Sequence, residues 1–308
     1  MDFCGLLTFQ KDLLCRKEVL GEQFDAVISG VKVKVCFPCY PKDIISSDDY
    51  IHKDYTLEPP KCRALKRGED QIEWGCLTSH PACNARVASV MILIDCEEDI
   101  EENAKKLYSS IKAWGKKLID YCDLCVKDLS INTRSPDSNT CRLELVYEKY
   151  IPSFGTTHLI IPFIKKEDCL TKNQVIDALI FASSNEEISL EYQMLLSAYK
   201  ARTERQYRQA IVDACSAVEI CLNKQIEKHC KKIGLDSEIL FKKYRSLGDK
   251  FTLIKKIDEN FNMTNPFDRI VSHRNIVVHK NEFPDAETTW ELLNAVEECL
   301  KQYNLDYY

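Results

Sequence analysis

The feature that most limits how this chain can fold is an apolar stripe at helical spacing in its second half. Tyr207, Ile211, Ala214, Val218, Leu222 and Ile226 recur at steps of three and four, which gives one long helix with a single face to bury. Such a helix needs partners, and the flanking sequence supplies them. Patterning predicts a helix near 187–203, another near 249–259 after the 234–248 region, and a third over about 266–279. A last helix opens at Asp285, a suitable N-cap just after Pro284, and carries Trp290, Leu293, Val296, Leu300 and Tyr303 on one face. Four to five amphipathic helices joined by short connections make a helical bundle.

The first half follows a different period. Ala26, Ile28, Val31, Val33, Val35 and Phe37 alternate with polar or small residues, as half-buried strands do, with Gly30 marking a turn or bulge. Residues 41–70 are rich in proline and charge and read as loop. Residues 85–95 form a dense β-branched run that predicts a buried strand. The acidic residues that follow, up to Glu102, suit the first turn of a helix reaching about Tyr121, because carboxylates complement the positive end of the helix dipole. Residues 142–150 and 156–164 read as a strand pair. The expected fold class is α+β, with a mixed α/β domain over 1–165, a linker helix region over 166–186 and an all-α bundle over 187–308.

Composition removes several classes of function. Only 9 of the 308 residues are glycine, and none fall into phosphate-cradling or dinucleotide-binding spacings, which argues against a P-loop or Rossmann enzyme. The first twenty residues scatter charges among apolar side chains, so no signal peptide is expected. The longest apolar runs, 87–94 and 158–164, fall far short of the ~20 residues needed to span a bilayer. The expectation is a cytoplasmic protein with no membrane partner, whose 16 cysteines are mostly reduced, small, buried hydrophobes. Cys36/Cys39 and Cys122/Cys125 are C-x-x-C pairs. Cys76, His80 and Cys83, completed by Cys62, carry ligand types suited to zinc. The strand pattern around Cys36 and the scarcity of glycine for knuckle turns weigh against a metal, so no cofactor is expected and zinc is the lesser reading.

The sharpest chemical signal is Arg274-Asn275-Ile276-Val277-Val278-His279, an R-N-x-x-x-H pattern late in a predicted helix. On a helix Arg274 and His279 lie about 140° apart and ~7.5 Å along the axis, while Asn275 and His279 are i,i+4 neighbours. Together with the upstream segment Arg-Gln-Ala-Ile-Val-Asp-Ala-Cys-Ser-Ala-Val-Glu ending at Glu219, this motif resembles a HEPN domain, over about residues 187–308. The resemblance implies a metal-independent endoribonuclease of a toxin-like, anti-phage defence or RNA-processing system, working as a homodimer with two motifs facing across one cleft. It implies Arg274, Asn275 and His279 as catalytic residues, with Glu219 matching a polar residue on the earlier long helix. Members with an acidic residue followed four positions later by lysine are matched imperfectly, since Asn223 holds that place and Lys224 comes one residue later. His273, next to Arg274, is a supporting or structural candidate.

The residue chemistry is compatible with that implication. Cleavage of RNA by its own 2′-hydroxyl needs a base, an acid for the 5′-oxygen and cationic donors for the phosphorane. Histidine titrates near neutrality, and arginine forks two hydrogen bonds onto phosphate. Residues 200–256 hold 14 Lys/Arg against 7 Asp/Glu, a local excess of seven inside a chain of net −6, which suits an RNA partner. Two other readings stand beside the enzyme. One is a HEPN-like module that binds RNA or protein without cleavage. In the other, the first domain carries the function, as a sensor or a dock for a regulatory protein, and the bundle only dimerises it.

Overall fold

The computed structural model describes residues 4–42, 55–61, 72–78, 84–94, 100–126, 142–145, 169–258, 265–279 and 283–302. The fold is α+β. The chain divides into two compact units, Met1–Glu186 and Glu187–Tyr308.

The first unit is built on an antiparallel sheet of β1 (Cys4–Arg16), β2 (Gln23–Ile28), β3 (Val31–Cys36), β4 (Gly75–Thr78), β5 (Asn84–Ile94) and β6 (Arg142–Leu145). Its order is β2-β3-β5-β1-β6, with β4 pairing on β5 beside β3. The β2–β3 hairpin is the most regular part. Burial alternates along β2, and Ile28 pairs with Val31 across a two-residue turn. Ser29 and Gly30 in that turn both have positive φ, 50° and 80°, which is the turn whose twist matches that of the strands it joins. Two helices, α1 (Ile100–Cys125) and α2 (Lys172–Ser183), complete the unit. Leu107, Ile111, Trp114, Leu118 and Tyr121 form the buried stripe of α1. The Tyr121 ring meets Phe181 of α2 at 5.1 Å between centroids, and Lys117 sits over the same Phe181 ring while its Nζ donates to the Ser184 carbonyl at 2.7 Å.

Three segments add to the sequence reading. The first twenty residues, read only for targeting signals, hold the central strand β1. Its period is broken by an irregularity between Thr8 and Leu13, so no clean alternation runs through it. The described part of 142–150, β6, pairs with β1, and the expected partner segment 156–164 lies outside the described residues. Residues 166–186, read as a linker helix region, contain α2, which a Thr171/Gln174 capping box opens and whose Val175, Leu179 and Phe181 are buried.

In the second unit α3 (Leu190–Thr203), α4 (Tyr207–Ile233), α5 (Ser237–Lys243), α6 (Leu247–Ile257), α7 (Asn265–His279) and α8 (Ala286–Gln302) form the bundle. α4 touches every other helix of the unit. Its stripe of Ile211, Ala214, Val218, Leu222 and Ile226 is wholly buried, and Leu292, Leu293, Val296 and Leu300 of α8 share the core. Gly234 ends α4 in the left-handed conformation, and its N–H returns to the Cys230 carbonyl. Asp285 caps α8 by accepting from the Thr288 N–H at 2.7 Å. The 234–248 region holds α5, a short helix that buries no residue and gave no apolar period to read. Tyr303 lies outside the described residues. Among the described residues, no helix is long and apolar enough to cross a membrane.

Gly75 opens β4 at φ +112°, and a Cβ there would stand 1.8 Å from the Arg86 carbonyl oxygen. Gly75→Ala is therefore expected to destabilise the first unit by more than ~1 kcal/mol, through backbone strain and displacement of β4 from β5, measured by chemical denaturation. Unchanged stability would mean that β4 does not approach β5 this closely.

Candidate functional site

Helix α7 carries the R-N-x-x-x-H pattern and is anchored by Ile270 and Val277, both buried. Arg274 falls on the same side of the helix, the three residues lying within an arc of about 60°. An arginine on the apolar side of a helix needs a polar neighbour, and α4 provides the setting. Cys215 of α4 lies against α7, with Sγ 3.9 Å from the Ile270 carbonyl oxygen. Burial pushes the Cys215 thiol up to about 12, with Arg274 pulling it down and Glu219 pushing it up. The thiol thus sits in the fields of both groups, and Arg274 and Glu219 are brought to one α4–α7 seam.

Glu219 is also held from a third helix. Lys250 of α6, only 6% exposed, donates from Nζ to Glu219 Oε1 at 2.5 Å. Sequence reasoning missed Lys250. A signal was present, because Leu247, Lys250, Phe251 and Ile254 occupy consecutive buried positions of α6 and lysine is out of place among them. Lys224, the residue one place late for the family spacing, has a different partner: it grips the buried Glu191 of α3 through both carboxylate oxygens, at 2.8 and 2.6 Å.

The other expected site residues fall as follows. Asn275 is exposed on α7, and His279 is the last residue of that helix, its side chain lying outside the described residues. His273 Nδ1 is 2.6 Å from the Arg269 carbonyl oxygen. A carbonyl only accepts, so this nitrogen carries the hydrogen and the ring is tied to its own helix. Of the zinc candidates, Cys76 is in β4, while Cys62, His80 and Cys83 lie outside the described residues. Among the described residues, no group of three or more His, Cys, Asp or Glu is placed to hold a metal. Cys36, Cys39 and Cys122 are buried and Cys125 is half-buried, none of the four in a disulfide.

Part of the basic excess lies away from the seam. Lys224, Lys228, Lys231 and Lys232, with Glu227 among them, line a shallow open depression along α4. Counted around the helix, Lys228 is about 180° from Glu219. The seam and the lysine row therefore occupy opposite sides of α4.

Two outcomes follow from the seam. Breaking its ion pair should be asymmetric: Glu219→Met leaves the buried Lys250 ammonium without its carboxylate and costs about 2–3 kcal/mol, whereas Lys250→Met leaves a half-solvated Glu219 and costs less, by denaturant melts of both variants. Equal losses would show that Lys250 is better solvated than its burial indicates. The folded-state pKa of Cys215 lies above its ordinary value of 9.0, so the neutral thiol contributes stability that is full below pH 9 and fades as pH rises towards about 12. Iodoacetamide at pH 8 should leave Cys215 of the folded protein unmodified in peptide mass maps, and rapid labelling there would contradict that burial. The chain matches no family model, no curated protein and no solved structure.

Proposed function

We propose that the second unit is a HEPN-type endoribonuclease that needs no metal, acting in a defence or toxin-like system in which the first unit regulates or recruits. The observation that carries this reading is Arg274 on the inward side of α7, in one seam with Glu219, two residue positions that the motif resemblance singles out. In this reading the RNA 2′-hydroxyl attacks the adjacent phosphorus. The new P–O2′ bond forms, the P–O5′ bond breaks, and the products are a 2′,3′-cyclic phosphate and a 5′-hydroxyl. One His279 imidazole takes the 2′ proton and a second, from another copy of the chain, gives a proton to the 5′-oxygen. Arg274 meets the phosphorane charge, and Asn275 orients the imidazole or the ribose. Glu219, itself held by Lys250, stands in the same seam.

The lysine row favours a second reading, a module that binds RNA or protein without cleaving. It lies on the side of α4 away from Glu219, where it does not serve a reaction at Arg274 directly.

The deciding assay is RNA cleavage in excess EDTA by the intact protein and by His279→Ala. Cleavage to cyclic-phosphate ends that falls about 100-fold or more in the variant is the expected result, because a proton-transfer group contributes ~10²–10⁴-fold. Equal cleavage by both proteins, or none from the wild type alongside RNA binding that Arg274→Ala weakens, would replace the enzyme with the binding module.

A further inference from the structure

The first unit contains a polar cluster that neither the fold nor the proposed reaction uses. Along β5, one face carries Ala88, Val90 and Ile92, all buried, and then turns polar at Arg86 and Asn84. In the antiparallel pairing with β1, Arg16 stands opposite Asn84, and Leu14 opposite Arg86. Residues directly across a sheet share a face, and diagonal neighbours are ~7–8 Å apart, so Arg16, Asn84 and Arg86 rise from one small area.

Their hydrogen bonds are incomplete. Arg86 uses Nη2 on Asp12, at 2.9 Å, with both groups largely buried. Among the described residues, Arg86 Nε, Arg16 Nε and Asn84 Oδ1 are buried with no hydrogen-bond partner. Asn84 as a whole is only 3% exposed. Leaving two guanidinium N–H donors and one amide acceptor unpaired is costly, and groups left so in one place call for a bound species. Among the described residues, Arg16, Arg86 and Asp12 together carry a net charge of +1. The unmet donors ask for anionic oxygen, and the unmet acceptor asks for a hydroxyl beside it.

We propose that Arg16, Asn84 and Arg86 form a binding site for a small oxyanion that carries a neighbouring hydroxyl group. Arg16 and Arg86 hold the anionic oxygens through their Nε–H groups, as guanidinium favours. Asn84 Oδ1 accepts from the hydroxyl and so selects among anions. Phosphate monoesters and hydroxycarboxylates share this chemistry, and the experiment separates them. The site lies within the first unit and stands whether or not the second unit cleaves RNA.

Calorimetric titration of the intact protein with ribose 5-phosphate, inorganic phosphate, citrate and acetate tests it. Binding of ribose 5-phosphate tighter than phosphate assigns a phosphate monoester, and citrate tighter than acetate assigns a hydroxycarboxylate. Arg16→Gln should weaken the better ligand about tenfold or more, and Asn84→Ala should erase the preference for the hydroxyl-bearing member while leaving its bare counterpart unchanged. Hydrogen exchange of the wild type with bound ligand should show protection at 12–16 and 84–87, a readout that needs no variant to fold. No binding by any of the four compounds, undiminished binding by Arg16→Gln, or protection confined to other segments would overturn the site and leave these atoms to water.

Discussion

Everything in the second unit depends on the burial of one helix. α4 packs against α3, α5, α6, α7 and α8, so its apolar stripe sets the core while its flanks must satisfy polar groups where neighbouring helices close over them. The flanks do this by pairing across helices. Asp213 accepts from Ser197 of α3 at 2.8 Å, Lys224 holds Glu191, and Glu219 is held by Lys250 of α6. A charged group at such a seam loses hydration, and only a partner on the adjacent helix restores what water gave it. Arg274, half-buried on the inward side of α7, acts with Glu219 on the same Cys215 thiol.

The bundle was largely legible because helical period is written in the residues that touch. Ile211, Ala214, Val218, Leu222 and Ile226 announce a buried face, and the cap at Asp285 announces where α8 begins. The three-dimensional partners of the polar residues were not legible. That Glu219 meets Lys250, and Lys224 meets Glu191, depends on how three helices are stacked, which spacing along one chain does not encode. For the same reason a basic excess counted along residues 200–256 does not say where the charges lie: a helix distributes its neighbours around a full turn, and one row of lysines falls on the side of α4 away from Glu219.

The sheet was less readable at its centre than at its margin. The β2–β3 hairpin alternates strictly along β2 and as far as Val35 in β3, so its pattern stood out. β1 and β5 are buried along most of both faces and β1 is irregular in the middle, so Leu6, Leu7, Leu13, Leu14 and Cys15 run together without a period. Central strands are apolar on both sides, and what distinguishes them from buried helix segments is pairing, which is a property of distant residues. The interruption at Thr8–Leu13 is also where Asp12 turns inward to reach Arg86, so the break in pattern and the buried polar cluster share one origin.

α5 draws its shape from its ends. Asp236 accepts from the Glu238 N–H at its start, Gly234 supplies the left-handed turn before it, and none of its seven residues is buried. A segment fixed mainly by local capping, with no residue of its own buried, opens at little cost. The passage from α4 to α6 is thus the place in the bundle where the chain tolerates lengthening: added residues there would change the reach of a surface element while the packing around α4 stayed as it is.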